Sequence, residues 1–169
     1  MCVDKSKKAI HSIKKGVYGM SNEENKHGFL NSLLEHKILI VWQPRYNLGI
    51  PIIDEQHRGI VSVINSLHFG IENDQGENFL KPIVGMVYEY TRIHFEAEER
   101  FLEICGYPYV EDHHKMHEEL RFKLQTIGDK SLKEQTPGEF LEFLKDWFVD
   151  HICEKDRQFR DFLLEMIRF

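Results

Sequence analysis

The chain has 169 residues, of which 41% are hydrophobic and 30% charged, and its formal net charge at pH 7 is −6. This balance is typical of a folded domain and excludes an intrinsically disordered chain. The longest fully apolar run, Ile38 to Trp42, is far shorter than the roughly 20 residues of a membrane-spanning helix. Lysines concentrate in the first 15 residues, which leaves the remainder acidic and argues against a nucleic-acid partner. Because no signal peptide is visible, the sequence predicts a cytoplasmic protein.

The three cysteines, Cys2, Cys105 and Cys153, are widely spaced and form no Cys-x-x-Cys pair. This arrangement argues against both a disulfide framework and a thiolate metal site. The sequence therefore predicts unpaired thiols in a reducing compartment.

Apolar side chains repeat with helical spacing and predict four amphipathic helices. The predicted helices cover about residues 54–68, 79–104, 110–127 and from 137 into the C-terminus. The turn-like sequences between them are residues 73–78, 105–108 and 128–138. Thr136 followed by Pro137 is typical of a helix start, and Pro82 fits the first turn of the second helix.

Four amphipathic helices joined by short loops predict an all-α fold, an up-down-up-down antiparallel four-helix bundle. We assign residues 42–169 to this bundle and residues 1–41 to an N-terminal extension. A capping-box pattern ahead of apolar residues predicts a helix over residues 21–36 of the extension. Residues 42–46 are interpreted as an extended arm that leads into the first bundle helix.

Seven polar side chains fall in one half of the predicted bundle, and all of them except Asp156 lie on its inward stripes: His57, His94, Glu98, His113, His117, His151 and Asp156. In each of the pairs 94/98 and 113/117 the side chains are four residues apart and share a helix face. Asp156 follows His151 by five residues, about 140° around an α-helix at ~100° per residue. It therefore reaches the same face only where the fourth helix bends or loosens.

Burying seven such groups without partners would be costly, and a pair of divalent metal ions would resolve that cost. Five imidazoles and two carboxylates are too many ligands for one tetrahedral zinc ion. They suit two ions bridged by the carboxylates. A set so rich in imidazole favours Fe(II) and reversible chemistry over high-valent oxidation.

The chain resembles the hemerythrin family over about residues 42–166, through the ordered motifs Gly49-Ile50-Pro51, Ile53-Asp54-x-Gln56-His57, His94-x-x-x-Glu98, Tyr107-Pro108, His113-x-x-x-His117 and Trp147…His151-x-x-x-x-Asp156. The resemblance implies an oxo- or hydroxo-bridged centre of two iron ions that binds O₂ reversibly. By this resemblance one iron is held by His113, His117 and His151, and the other by His57 and His94. Glu98 and Asp156 would bridge the two ions.

The resemblance also implies an O₂ pocket formed by Phe148, Trp147 and Ile152. Members of the family commonly carry Leu at the position of Phe148, and the resemblance implies that this position lies over the O₂ site. A larger ring there predicts slower O₂ access to a drier site, together with slow autoxidation.

The implied function is therefore an O₂ carrier, store or sensor, and not an enzyme. Two other interpretations stay open at this point. The bundle could be the input module of a signalling system, with residues 1–41 contacting a signalling partner or a second copy. Alternatively, the same diiron site could support nitric oxide, peroxide or iron-sulfur repair chemistry. A metal-free structural bundle is disfavoured by the number of ligand-type side chains.

Overall fold

The computed structural model describes residues 38–166, and within this range all regular structure is helical. A 3₁₀ turn at Pro44–Tyr46 precedes α1 (Pro51–Glu72), α2 (Gly76–Ile104), α3 (Val110–Glu134), α4 (Pro137–Trp147), a π-helical segment (Phe148–Lys155) and α5 (Asp156–Met166). α4, the π-helical segment and α5 are continuous and together make the fourth helix, so the described residues form four long helices. This confirms the predicted all-α, four-helix fold. None of these helices is long and apolar enough to cross a membrane. The helix predicted over residues 21–36 lies outside the described residues.

α1 and α2 pack against each other in opposite directions. Gly70, near the end of α1, lies against Phe79, near the start of α2. Toward the other end of the pair, the Tyr90 hydroxyl of α2 donates to the carbonyl oxygen of Gln56 on α1, at 2.9 Å. Ile53 of α1 and Leu102 of α2 belong to one apolar cluster, so the start of α1 lies beside the last turns of α2.

Two apolar clusters fill the interior at different levels of the bundle. The larger includes Ile64, Leu67, Leu80, Phe140 and Leu144, none of which is exposed. The smaller lies where α1 begins and α2 ends, and its buried members are Leu48, Ile50, Ile53, Leu102, Tyr107 and Phe159. On each contributing helix, the polar side chains predicted from sequence lie between these two clusters. The fold therefore places them in a layer with apolar packing on both sides.

The third helix extends to Glu134, so the turn predicted from residue 128 begins too early. Gly128 serves close packing instead of a turn, because a Cβ there would overlap the hydroxyl of Tyr88 on α2. The helix ends at Gln135, whose backbone is left-handed with a φ of 54°.

Two predicted helix-start signals need correction. The fourth helix does begin at Pro137, but the Thr136 hydroxyl makes no hydrogen bond and so does not cap it. The second helix begins at Gly76, three residues earlier than predicted, which leaves Pro82 inside the helix and not in its first turn. Pro82 and Asn78, whose carbonyl loses its usual partner, are both exposed, so water can satisfy that carbonyl.

Residues 38–50, which precede α1 in the chain, form an arm that packs along that helix. The side-chain amide of Asn65 pairs with both the N–H and the C=O of Ile40, each at 2.9 Å. The guanidinium of Arg58 lies over the Trp42 ring, 4.7 Å from its centroid. The arm contains a 3₁₀ turn at Pro44–Tyr46, so it is less extended than predicted. These contacts fix the chain that leads into α1.

Candidate metal centre

The seven predicted side chains all converge in the polar layer, and none is more than 5% exposed. They form two groups whose ligand-type atoms lie within 4.8 Å of one another: Glu98, His113, His117 and His151 in the first, and His57, His94, Glu98 and Asp156 in the second. Because Glu98 belongs to both groups, the two candidate cation positions are adjacent.

The two carboxylates lie between these groups, and each directs one oxygen toward either side. Glu98 places Oε1 2.8 Å from Nε2 of His113 and Oε2 3.3 Å from Nε2 of His94. Asp156 places Oδ2 3.3 Å from Nε2 of His57 and Oδ1 3.3 Å from Nε2 of His151. This arrangement suits carboxylates that bridge two cations.

The π-helical segment explains how Asp156 reaches the layer. The backbone N–H of Asp156 donates to the carbonyl oxygen of His151, five residues earlier. A π-turn holds one more residue than an α-turn, so residues five apart come to the same face. The fourth helix therefore loosens where the spacing of His151 and Asp156 required it to.

Burial keeps four of the five imidazoles neutral. It lowers the pKa of His57 and of His94 to about 4, despite the opposing charge of Glu98. It also lowers the pKa values of His117 and His151 far below the ordinary range, with further lowering by neighbouring histidines. Neutral imidazole is the form that binds metal, so the layer presents these rings ready for coordination.

The two carboxyls and His113 behave differently. Burial raises the pKa of Glu98, and raises that of Asp156 to about 7. Burial alone would lower the pKa of His113, but the hydrogen bond and charge of Glu98 outweigh it and raise the value. The two carboxyls therefore keep their protons to a higher pH than ordinary carboxyls do, and a bound cation would displace those protons.

Several buried polar atoms of the layer have no hydrogen-bond partner: both ring nitrogens of His57, Nε2 of His94, Oε2 of Glu98, Nδ1 of His151 and both carboxylate oxygens of Asp156. His57 and Asp156 approach to 3.3 Å, but not in hydrogen-bonding geometry. Leaving a buried polar group unsatisfied costs about 1–3 kcal/mol. Divalent cations would engage these lone pairs, so the residues present fit a pair of metal ions.

Two side chains outside the layer orient its histidines. The Gln56 Oε1 lies 3.1 Å from Nδ1 of His94, and the Glu99 Oε1 lies 2.7 Å from Nδ1 of His117. If each Nδ1–H donates to its oxygen, the opposite nitrogen, Nε2, is left as the ligand atom facing the layer. Gln56 appears in the sequence motif, whereas Glu99 was not singled out from sequence.

Glu99 is held in turn by His114 and Arg121 at the surface of the bundle. Its Oε2 lies 2.8 Å from Nδ1 of His114, and its Oε1 lies 3.5 Å from the guanidinium of Arg121. Only 16% of the Glu99 side chain is exposed, whereas His114 is 45% exposed. His114 therefore lies outside the layer, and its relation to the centre is indirect.

Phe95 is an aromatic side chain that contacts three of the predicted ligands directly, His94, His117 and His151. Its ring stacks on His117 at a centroid distance of 3.8 Å and meets His151 edge-on at 5.7 Å. Trp147 packs edge-on against Phe95 at 5.9 Å. Sequence reasoning missed Phe95, because one apolar residue beside His94 looks like ordinary core.

The three predicted pocket residues, Phe148, Trp147 and Ile152, are all buried. Trp147 approaches the layer through Phe95, as described above. The Phe148 ring packs edge-on against Tyr46 of the arm, at 5.2 Å between centroids. Phe148 therefore joins the arm to the bundle, which the sequence did not indicate.

Comparison with known proteins relates this chain to hemerythrins, in agreement with the arrangement of the polar layer. Residues 48–163 match a protein family described as the hemerythrin HHE cation binding domain. The chain is 32% identical over 130 residues to bacteriohemerythrin from Stenotrophomonas maltophilia, covering 73% of this chain and 80% of that protein. It is 29% identical over 130 residues to bacteriohemerythrin from Clostridium acetobutylicum, covering 73% of this chain and 100% of that protein. A hemerythrin from Sipunculus nudus is 31% identical over 123 residues, covering 73% of this chain and 92% of that protein.

Proposed function

Because this chain belongs to the hemerythrin family, we propose that it binds O₂ reversibly at two iron ions held in the polar layer. The observation that carries the proposal is the convergence of seven buried donor side chains, several of whose polar atoms have no other partner. Hemerythrins are known as O₂-binding proteins that are not enzymes. We therefore propose O₂ binding, and not catalysis, for this chain.

The ligand assignment follows the two groups of the layer. His113, His117 and His151 would hold one iron, and His57 and His94 would hold the other. Glu98 and Asp156 would bridge the two, as the division of their oxygens between the groups supports. The second iron would have one imidazole fewer, which leaves it a position for O₂.

A pair of ferrous ions held in the layer would supply the electrons on which reversible O₂ binding depends. The protein's own side chains fix the ligands and exclude water. Gln56 and Glu99 hold the outer nitrogens of His94 and His117, which fixes the orientation of both rings. Apolar packing above and below the layer keeps bulk water and stray protons away.

We assign Phe148, Trp147 and Ile152 to the O₂ pocket. Trp147 and Ile152 are buried in the large apolar cluster beside the layer. The contact of Trp147 with Phe95 supports its place near His117. Phe148, three residues before His151, is assigned to the pocket from the family resemblance.

Metal analysis and an optical spectrum of the full chain test this function. Protein produced with ample iron should hold two irons per chain. After anaerobic reduction, exposure to air should produce a visible charge-transfer band that disappears when O₂ is removed. His117→Ala should lose iron, whereas His68→Ala, three turns from His57 on α1, should retain both ions. One ion or fewer in the parent chain, or a spectrum unchanged by O₂, would contradict the proposal.

On the sequence alone, we further propose that the protein works in the cytoplasm and that residues 1–41 contact a second copy or a signalling partner. Deletion of residues 1–40 should preserve iron content but change sedimentation or the melting temperature. If both measurements are unchanged, the extension makes no such contact with a second copy.

A further inference from the structure

A small, nearly enclosed cavity lies between α1, α2 and α4, beside the polar layer. Aliphatic side chains of all three helices line it, including Ile64, Val87 and Leu144, together with the rings of Tyr90 and Trp147. The centre of a water-sized sphere can move through about 10 Å³ of this space. That is room for one small molecule.

The polar atoms around the cavity offer little to a water molecule. The Thr91 hydroxyl lies 2.9 Å from the carbonyl oxygen of Val87, one turn earlier on its own helix. The Tyr90 hydroxyl donates to the carbonyl of Gln56. The indole N–H of Trp147 is the one remaining polar atom without a partner among the lining residues. Both hydroxyls already donate elsewhere and the walls are otherwise aliphatic or aromatic, so the cavity favours a small apolar molecule over a water, which needs two to four partners.

The cavity lies one helical turn from two of the proposed ligands. Ile60, in its wall, follows His57 by three residues, and Thr91 precedes His94 by three. Trp147 separates the cavity from Phe95 and the His117 side of the layer. The gap between Trp147 and Phe95 has no room for a water-sized sphere. A molecule in the cavity therefore sits close to the layer and passes on only when side chains move.

Tyr90 forms the wall of the cavity toward solvent. It is half-buried, whereas the other lining residues are each at most 9% exposed. Its ring crosses α1 at Gly59, where a Cβ would overlap the Tyr90 hydroxyl. The hydrogen bond to Gln56 then anchors the ring. One side chain thus closes the cavity, and a single hydrogen bond holds it in place.

We propose that this cavity is a docking site for a small apolar gas molecule, with Tyr90 as the gate through which the gas enters. This rests on the proposed function in one respect, that the gas delivered to the layer is O₂. The lining supports the assignment because it combines room for one small molecule with walls that are almost entirely aliphatic and aromatic.

Xenon tests the site without any O₂ chemistry. Crystals of the iron-loaded full chain, pressurised with xenon, should show an atom in contact with Ile64, Val87 and Leu144. Val63→Ile adds a methylene to the cavity wall and should abolish this peak. Val61→Ile is the matched control, since Val61 is buried on the same helix but does not line the cavity. An empty cavity in the parent chain, or equal xenon occupancy in Val63→Ile, overturns the docking site, whether or not the protein binds O₂.

Tyr90→Phe tests the gate, because it removes the anchoring hydroxyl and keeps the ring. We expect xenon occupancy to remain while O₂ association, followed by stopped-flow mixing, becomes faster than in the parent. Val63→Ile should slow the same association, and Val61→Ile should leave it unchanged. If xenon binds but Tyr90→Phe and Val63→Ile both associate with O₂ at the parental rate, the route through Tyr90 is wrong. Failure to bind O₂ in every variant would instead contradict the proposed function, and the xenon result would still decide the docking site.

Discussion

The backbone N–H of Asp156 donates to the carbonyl oxygen of His151, and this bond brings the two side chains into one layer. Their potential ligand atoms, Oδ1 of Asp156 and Nε2 of His151, then lie 3.3 Å apart. An α-helix would turn Asp156 away from the site. The π-helical segment is thus the local distortion that completes the set of seven side chains.

Asp156→Asn should separate metal binding from folding. Burial raises the pKa of Asp156 to about 7, so at pH 8 the metal-free protein contains a buried, ionised carboxylate. The amide has a similar shape and no charge. We expect the metal-free variant to melt no lower than the metal-free parent at pH 8, while its iron content falls. Differential scanning calorimetry and metal analysis check the two parts.

Asp150→Asn is the control for this change, because Asp150 lies in the same π-helical segment but is exposed. It should retain two irons. If Asp156→Asn also retains two irons, Asp156 is not a bridging ligand.

Removal of the metal should lower the melting temperature. Without cations the layer leaves buried imidazoles and carboxylates unsatisfied, and those cations bind the folded chain better than the unfolded one. A ligand at 100 times its dissociation constant stabilises the folded state by about 2.7 kcal/mol. Thermal melts of the chain with and without a chelator should therefore differ by several degrees, and equal melting temperatures would contradict a metal-filled layer.

The stability of the metal-free protein should fall as the pH is lowered from 6.5 to 4. His57 and His94 have pKa values of about 4 in the folded chain against an ordinary 6.5, so in this window the unfolded chain binds protons that the folded chain does not. His117 and His151 act in the same direction.

The carboxyl group of Asp156 acts oppositely in this pH window, since its pKa of about 7 lets the folded chain keep a proton that the unfolded chain has lost. Glu98 does the same, and His113, whose pKa is also raised, adds to this effect near pH 6.5, but four lowered imidazoles outnumber these three groups. Denaturant unfolding at several pH values measures the slope. A free energy of unfolding that rises toward pH 4 would show that these imidazoles are protonated in the folded protein.

Glu99→Ala should weaken metal binding without removing a ligand. The carboxylate orients His117 through a 2.7 Å contact, and loss of such an outer partner typically costs 10–100-fold in metal affinity, an effect on the order of 1–3 kcal/mol. Glu96→Ala is a matched control, because Glu96 is an exposed acid on the same helix that pairs with Arg92. Competition with a chromophoric chelator gives both affinities, and equal values for the two variants would mean that Glu99 does not support the centre.

The sequence predicts this fold and its polar layer well because helical spacing is local information. The four-residue steps of His94 to Glu98 and His113 to His117 determine a shared helix face before any tertiary contact is known. The π-turn at Asp156 is different. Spacing alone indicates that the helix must loosen there, but only packing on both sides stabilises the less common geometry.

Residues that act through tertiary contacts were harder to predict. Gly128 looks like a turn residue until Tyr88 is seen to cross it from another helix. Glu99 resembles any surface acid in the sequence, and its role depends on the rotation that directs it toward His117. These features depend on distances between helices, which single-sequence patterns do not contain.

Phe148→Ala gives the last prediction. The side chain is 4% exposed and packs against Tyr46 of the arm, so its truncation should cost about 3–5 kcal/mol of unfolding free energy. If the ring also limits access to the second iron, the variant should bind O₂ and autoxidise faster than the parent, because the cavity admits both gas and water. Phe140→Ala is the control, since Phe140 is fully buried on α4 two turns earlier and should lose stability without a change in either rate. Stopped-flow mixing with O₂ and the decay of the visible band measure the rates. Parental rates in Phe148→Ala, together with lower stability, would show that this ring holds the arm and does not cover the O₂ site.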